Sequence, residues 1–403
     1  MRILFALPLF STLGLALAAQ TAPAPAAATP AATAAPAPVL GAIKWRGALW
    51  ASGATSNQQT PDGSMFLRTM DAPDGSLALD GLQLGGDVNL ADGWSFKFTL
   101  LTGQDAKVLN AASQQNGSPM TGDIAYPEAM LTWTGANDTV KIGRMYTPMG
   151  MEVMDQTQNA TASRGLLFSF AVPFGQVGID WHHAFTPSWS TDLYLYNGED
   201  QVTDNNKSKS GGLGLTYNHA GAADKFVTLM AFTGAEQNGL GANSNTGAEG
   251  RKRNRLSLAG QWVWGPSTLQ FEGEYASESM AGSVAGTTGD ATARWNGFGF
   301  IYKYQVNDNW AWFARAEALA DNTGLRLLAD PTIKTLVLTA PAANADLRAE
   351  GFAVGVERRW HATFCRVEVR DDHLNKTIQE TAAENNKSFN SAVSATVSLG
   401  TSF

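Results

Sequence analysis

The chain has 403 residues, 16% of them charged, with 41 Gly, 12 Trp, 19 Phe and a formal net charge of −8. The acidic balance argues against nucleic acid as a partner, and the single cysteine, Cys365, excludes an internal disulfide and a cysteine metal cluster. Beyond the N-terminus no apolar run approaches the about 20 residues of a transmembrane helix, so a membrane-spanning fold would have to be a closed β-barrel.

Residues 1–18 carry the pattern of a secretory signal peptide: Arg2 as the basic region, Ile3 to Leu17 as the apolar core, and Ala16-Leu17-Ala18 as the cleavage site. A membrane anchor, the competing reading, would need a longer run and a stop-transfer flank. Residues 19–40 are almost pure Ala, Pro and Thr and read as an extended, disordered periplasmic linker.

From residue 41 to 403 amphipathic strands recur. The first puts Ile43, Trp45 and Leu49 on one face and Lys44, Arg46 and Trp50 on the other. Another ends at Asp92-Gly93, a two-residue hairpin signal, and Phe96, Phe98 and Leu100 alternate with Lys97 and Thr99 beyond it. Strands are expected at 43–53, 77–90, 94–103, 125–135, 139–147, 174–185, 189–198, 211–219, 225–235, 253–265, 267–279, 292–306, 309–321, 347–360, 362–374 and 388–403. Seven short turns alternate with eight long Gly, Asn and Ser-rich loops. The pattern predicts an all-β fold: one closed antiparallel transmembrane barrel of about sixteen strands, fourteen to eighteen being compatible, with short periplasmic turns and long extracellular loops.

The polar faces carry the functional signal. Arg315 and Glu317 alternate with Trp310, Trp312, Ala314 and Ala316; Arg366, Glu368, Arg370 and Asp372 alternate with Cys365, Val367 and Val369. Glu272 and Glu274 share a face, as do Glu357 and Arg359. An Arg or Lys facing lipid at mid-depth costs about 2–4 kcal/mol. Arg46, Glu272, Glu274, Arg315, Glu317, Arg359, Arg366, Glu368, Arg370 and Asp372 are therefore expected to line the interior, as pore-lining groups, as salt bridges bracing the wall, or as both. About sixteen strands leave room for an aqueous channel.

The third long loop, Pro148 to Pro173, is the most apolar of the eight, with Met149, Met151, Met154, Leu166, Leu167, Phe168 and Phe170. A water-exposed loop would not carry such a surface. It is expected to fold into the barrel and constrict it, bringing Glu152, Asp155 and Arg164 to the constriction. Glu152 and Asp155 would face wall arginines (Arg46, Arg315, Arg366 or Arg370) across a narrow gap and set up a transverse field. A loop packed over the mouth or on a neighbouring subunit is the alternative. The run Arg251-Lys252-Arg253-Asn254-Arg255 reads as a solvated loop edge, or as a contact for lipopolysaccharide phosphates.

Two resemblances accompany these residues. Gly143, Arg144, Thr147, Pro148, Gly150, Glu152, Asn159, Ser163, Arg164, Gly165, Pro173 and Gly178 form a stretch that resembles the putative β-barrel porin-2 family. The last strand has Phe403, Leu399, Val397, Val393 and Phe389 in one register, an aromatic at each end. It resembles the terminal strand of Gram-negative outer-membrane barrels. The resemblance implies an outer-membrane channel, with Phe403 as the signal for the barrel-assembly machinery; it names no solute.

Signals for catalysis are poor. His182 and His183 are adjacent on a strand and point to opposite faces, and no phosphate loop, haem site or supported Ser–His pair is present. The expected protein is a cofactor-free, metal-free outer-membrane porin, not an enzyme. It would pass small hydrophilic solutes by diffusion, contact outer-membrane lipid and lipopolysaccharide, and assemble as a monomer or homotrimer. A plugged barrel acting as an adhesin or receptor through its loops is the second reading.

Overall fold

Among the described residues, sixteen strands of 8 to 17 residues carry the alternation into three dimensions. In chain order they are β1 (Lys44–Ser56), β2 (Leu77–Asn89), β3 (Trp94–Thr102), β4 (Ile124–Thr134), β5 (Asp138–Tyr146), β6 (Gly175–Thr186), β7 (Trp189–Tyr196) and β8 (Ser210–Asn218). There follow β9 (Lys225–Ala235), β10 (Lys252–Trp264), β11 (Ser267–Met280), β12 (Ala291–Gln305), β13 (Trp310–Asp321), β14 (Leu347–Trp360), β15 (Thr363–Gln379) and β16 (Ser388–Ser402). The structure, a computed structural model, describes residues 42–58, 63–71, 73–239, 248–280, 291–329, 337–338, 346–379 and 388–403. The expected signal peptide (1–18) and linker (19–40) lie outside the described residues.

Each strand pairs antiparallel with its neighbours in sequence, and β16 pairs back onto β1 from Ala48↔Ser402 to Ser56↔Ser394. The last residue completes the seam: Gly47 N donates to Phe403 O at 3.0 Å and Phe403 N to Gly47 O at 2.9 Å. Closure leaves no strand edge for lipid to meet. Among the described residues no helix is long and apolar enough to cross a membrane.

The two faces sort as the period of two requires. Leu82, Leu84, Trp312, Val367, Val369, Val397 and Leu399 are exposed on the outside, whereas Arg315, Glu317, Arg366, Glu368 and Arg370 are buried inside. Phe96 and Phe98 stack at 6.1 Å on the outer face beside Trp45. Exposed Trp94, Trp189, Trp264, Trp310, Trp360 and Phe403 lie at the strand ends beside the short turns, forming an aromatic girdle. The β2–β3 turn follows its sequence signal, with positive φ at Asp92 (57°) and Gly93 (80°).

Two expectations fail locally. Phe389 was expected on the same face as Phe403, but it is buried inside, edge-on to Phe66 with ring centroids 5.4 Å apart. The cause is a register irregularity in the β15–β16 ladder between His373 and Ile378, which reverses the faces beyond it. The second long segment, expected to be an irregular loop, contains a helix, α1 (Gln104–Ala112). Its Asp105, Ala106, Leu109 and Asn110 are buried at the i, i+1, i+4, i+5 spacing of a helix face.

Candidate functional site

The third loop lies inside the barrel and is held there from three directions. Met149 and Val172 pack among Met130, Met145, Tyr194, Tyr196, Met230 and Phe232, inward residues of β4, β5, β7 and β9. Met154 and Phe168 join Trp50, Met70, Leu101 and Leu109 on the side of β1 and α1. Leu166, Leu167 and Phe170 pack with Trp295, Leu319, Leu347 and Leu374 on the side of β12 to β15. Of the apolar residues that mark this loop in the sequence, all but the half-buried Met151 are therefore buried against the wall. Leu167–Ala171 forms one turn of π-helix.

Polar contacts fix the depth of the loop. Glu152 accepts Arg315 Nη1 and Thr161 Oγ1, both at 3.0 Å, through one oxygen and the Gly165 amide at 2.6 Å through the other. Arg315 also donates to Ser163 O at 2.6 Å and sits 3.4 Å from Glu317. Glu317 accepts the Leu166 amide at 2.7 Å, and Glu368 accepts the Ala162 amide at 2.9 Å and the Ser163 hydroxyl. Arg366 pairs with Glu357 at 2.8 Å and donates to the carbonyls of Gln156, Asn159 and Thr161. Arg370 pairs with Asp372 at 2.7 Å and donates to Arg164 O at 2.5 Å. Glu272 accepts the Met151 amide at 2.7 Å. A loop with only one helical turn leaves many backbone groups to satisfy, and here the wall supplies partners.

Two glycines allow this approach. Gly150 has φ +81°, and a side-chain carbon on it would meet Glu272 at 3.0 Å. A side-chain carbon on Gly165 would sit 1.9 Å from a Glu317 oxygen.

The charges do not face one another across a gap, as the transverse-field expectation required. Glu152 touches Arg315 directly. Asp155 turns back on its own loop and accepts Thr157 N at 2.9 Å, Thr157 Oγ1 at 2.6 Å and Gln158 Nε2 at 2.9 Å. Arg164 reaches the opposite side, to Asp105 at 2.8 Å, and Asp105 also accepts Trp50 Nε1 at 2.8 Å. Arg46 lies away from the loop, between Asp87 at 3.1 Å and Glu128 at 3.4 Å. Buried ions lose hydration, so each takes a partner at contact distance.

Of the remaining wall residues, Glu274 pairs with Arg255 at 3.2 Å, and Arg359 lies 3.2 Å from Glu357. The basic run at 251–255 is not merely a loop edge. Arg253 and Arg255 turn inward onto Glu199 of the 197–209 loop, while Lys252 and Asn254 face out. Arg255 also donates to Ala171 O at 2.6 Å. The period of two from Arg253 carried that signal. Glu199, Asp105 and Arg68 were not anticipated from the sequence. Arg68 donates to Ser394 and Thr396 of β16 at 2.6 and 2.7 Å and pairs with Asp71 at 2.8 Å. All three sit in segments between barrel strands, where no alternation marks an inward side.

Among the described residues no group of three or more His, Cys, Asp or Glu could hold a metal ion. His182 meets Asp192 and His183 meets Asp138, each at 2.8 Å, as two separate pairs.

Similar solved structures share the architecture. Salmonella typhi OmpF, in complex with daunomycin, matches at a TM-score of 0.57 and 11% identity over 90% of this chain and 97% of its own. An anion-selective porin from Comamonas acidovorans matches at 0.54 and 12% over 90% and 99%. In-vitro folded OmpT of Vibrio cholerae, in a trimer form, matches at 0.53 and 11% over the same shares. No curated protein sequence matches the chain. The family model described as "Putative beta-barrel porin-2, OmpL-like" matches residues 43–403, and the chain belongs to that family of porin-like outer-membrane β-barrels.

Proposed function

We propose that this porin passes small hydrophilic solutes by passive diffusion and that the inward-folded loop 148–173 sets its narrowest section. The observation that carries this reading is the set of buried contacts joining Glu152, Ser163 and Arg164 to Arg315, Glu368 and Arg370. They hold the loop at a fixed depth in a polar wall, as a size filter requires. Both signs of charge line the loop in pairs, which favours weak selectivity by sign. No covalent step and no cofactor belong to this reading. The N-terminal 18 residues act as the export signal, Phe403 as the assembly signal, and lipid, lipopolysaccharide and the barrel-assembly machinery as partners. A homotrimer is part of the proposal, a trimer form being described for one structural neighbour.

The plugged-barrel reading has its own support: the loop packs on three sectors of the wall, and α1 and residues 64–71 also turn inward. Planar-bilayer conductance of the refolded chain separates the two. A filter gives open channels that grow severalfold when 150–170 are deleted. A plug gives a silent wild type that conducts only after the deletion. Channels unchanged by the deletion would remove the loop from the conduction path.

A further inference from the structure

Outside the contacts of the third loop with the wall, a cavity of about 440 Å³ opens between α1, the outer side of the third loop and the segments after β7 and β9. That volume lies in the range of small-molecule sites, about 300–1,000 Å³. Its apolar side includes Val108, Ala112, Phe170 and Phe174; its charged side includes Asp200, Glu236 and Arg326.

The polar groups here are incompletely matched by the protein. Asp200 Oδ1 accepts the amides of Phe174 and Gly175 at 2.8 and 2.9 Å, while its other oxygen has no hydrogen bond among the described residues. Two buried amide oxygens on the same lining, Gln114 Oε1 and Gln201 Oε1, also lack a donor. Two residues of the lining thus hold buried acceptors without donors, a costly condition, and Asp200 keeps one oxygen free of donors among the described residues. Arg326 gives its Nε–H to Phe170 O at 2.5 Å and stacks 5.5 Å over the Trp295 ring. Among the described residues Asp200, Glu236 and Arg326 make no ion pair, although all three line one cavity. Burial pushes the Asp200 carboxyl up to about 6, and burial followed by repulsion from Arg253 and Arg255 pushes Arg326 down to about 10. Each would be relieved by an opposite charge.

We infer that this cavity binds a small zwitterion with an apolar side chain, such as a branched-chain α-amino acid. Its ammonium group meets Asp200, its carboxylate meets Arg326, and its side chain lies on the face of Val108, Ala112 and Phe174. The ammonium supplies a charged donor to the Asp200 oxygen that lacks one, and the guanidinium offers a fork to the carboxylate. The proposal names a solute class for the channel and rests on that reading only for the solute's onward passage.

The test is calorimetric titration of the refolded full chain in detergent with L-leucine, 4-methylpentanoate (no ammonium) and 3-methylbutylamine (no carboxylate). Leucine is expected to bind saturably, and each analogue at least tenfold more weakly. Arg326→Gln should weaken leucine at least tenfold and leave the amine unchanged. Heat-modifiable gel mobility identifies folded variants, and the analogue series on the wild type needs no variant. Equal binding of leucine and either analogue, or no saturation by leucine, overturns the proposal. Conductance is read separately: binding without conductance sinks the channel and keeps the site, and conductance without binding does the reverse.

Discussion

Glu152 of the third loop and Arg315 of β13 meet at 3.0 Å with both side chains almost wholly buried. The pair joins a loop to a barrel wall 163 residues further along the chain. Removing one partner of a buried pair leaves an uncompensated ion, at a cost of about 3–5 kcal/mol. Arg315→Met would strand both Glu152 and Glu317. It should lower the urea midpoint of the refolded barrel and broaden its channel-conductance distribution. Adding Glu152→Gln should recover part of the loss. A double-mutant cycle with no coupling between the two sites would contradict the assignment.

Gly165→Ala places a carbon where Glu317 now sits 1.9 Å away. Either Glu317 leaves the Leu166 amide or the loop retreats from β13. Overpacking of this kind costs about 1–3 kcal/mol. Cleavage within 148–173 by added protease should rise, while the heat-modifiable barrel persists. Protease resistance equal to that of the wild type would count against the close approach.

Glu236, just beyond β9, accepts the Glu199 amide at 2.8 Å and the Ser210 hydroxyl at 2.6 Å. Burial, followed by the charge of Glu199, pushes its carboxyl from 4.5 up to about 7; Arg253 and these two hydrogen bonds oppose the shift. The folded state therefore holds this proton more tightly than the unfolded one. The corresponding stability is fully present below pH 4.5 and is lost as the pH rises through about 7. Glu236→Gln should raise the melting temperature at pH 8 and leave it nearly unchanged at pH 4. Equal shifts at both pH values would contradict the buried, raised carboxyl. Glu199, held low by Arg255 and Arg253, works in the opposite sense, so the difference between wild type and variant is the quantity to measure.

Val369 faces out between inward Glu368 and Arg370. Val369→Arg should cost about 2–4 kcal/mol if the position lies near mid-membrane. The yield of folded barrel in lipid vesicles should fall, and Val369→Leu should fold as wild type. Normal folding of the arginine variant would place the position off the lipid face.

The sequence by itself determined the strands and their faces. A period of two over sixteen segments, with charges at Arg366, Glu368 and Arg370 and valines between them, has one low-energy solution in lipid. Strand limits follow because turn residues such as Asp92-Gly93 act locally. The inward fold of 148–173 was also legible, since its Met and Phe residues need burial wherever they go. Tertiary structure alone decided which groups meet. Glu152 could have faced Arg46, Arg315, Arg366 or Arg370; loop depth selected Arg315, and desolvation turned an expected open field into contact pairs. Phe389 shows the same limit in the wall, where an irregularity in the β15–β16 ladder reversed a face that simple alternation assigned outward. Glu199 and Arg68 stayed hidden because irregular segments between strands have no fixed period, and a side chain's direction there depends on partners distant in sequence; Asp105 stayed hidden because it follows the period of a helix and not that of the strands.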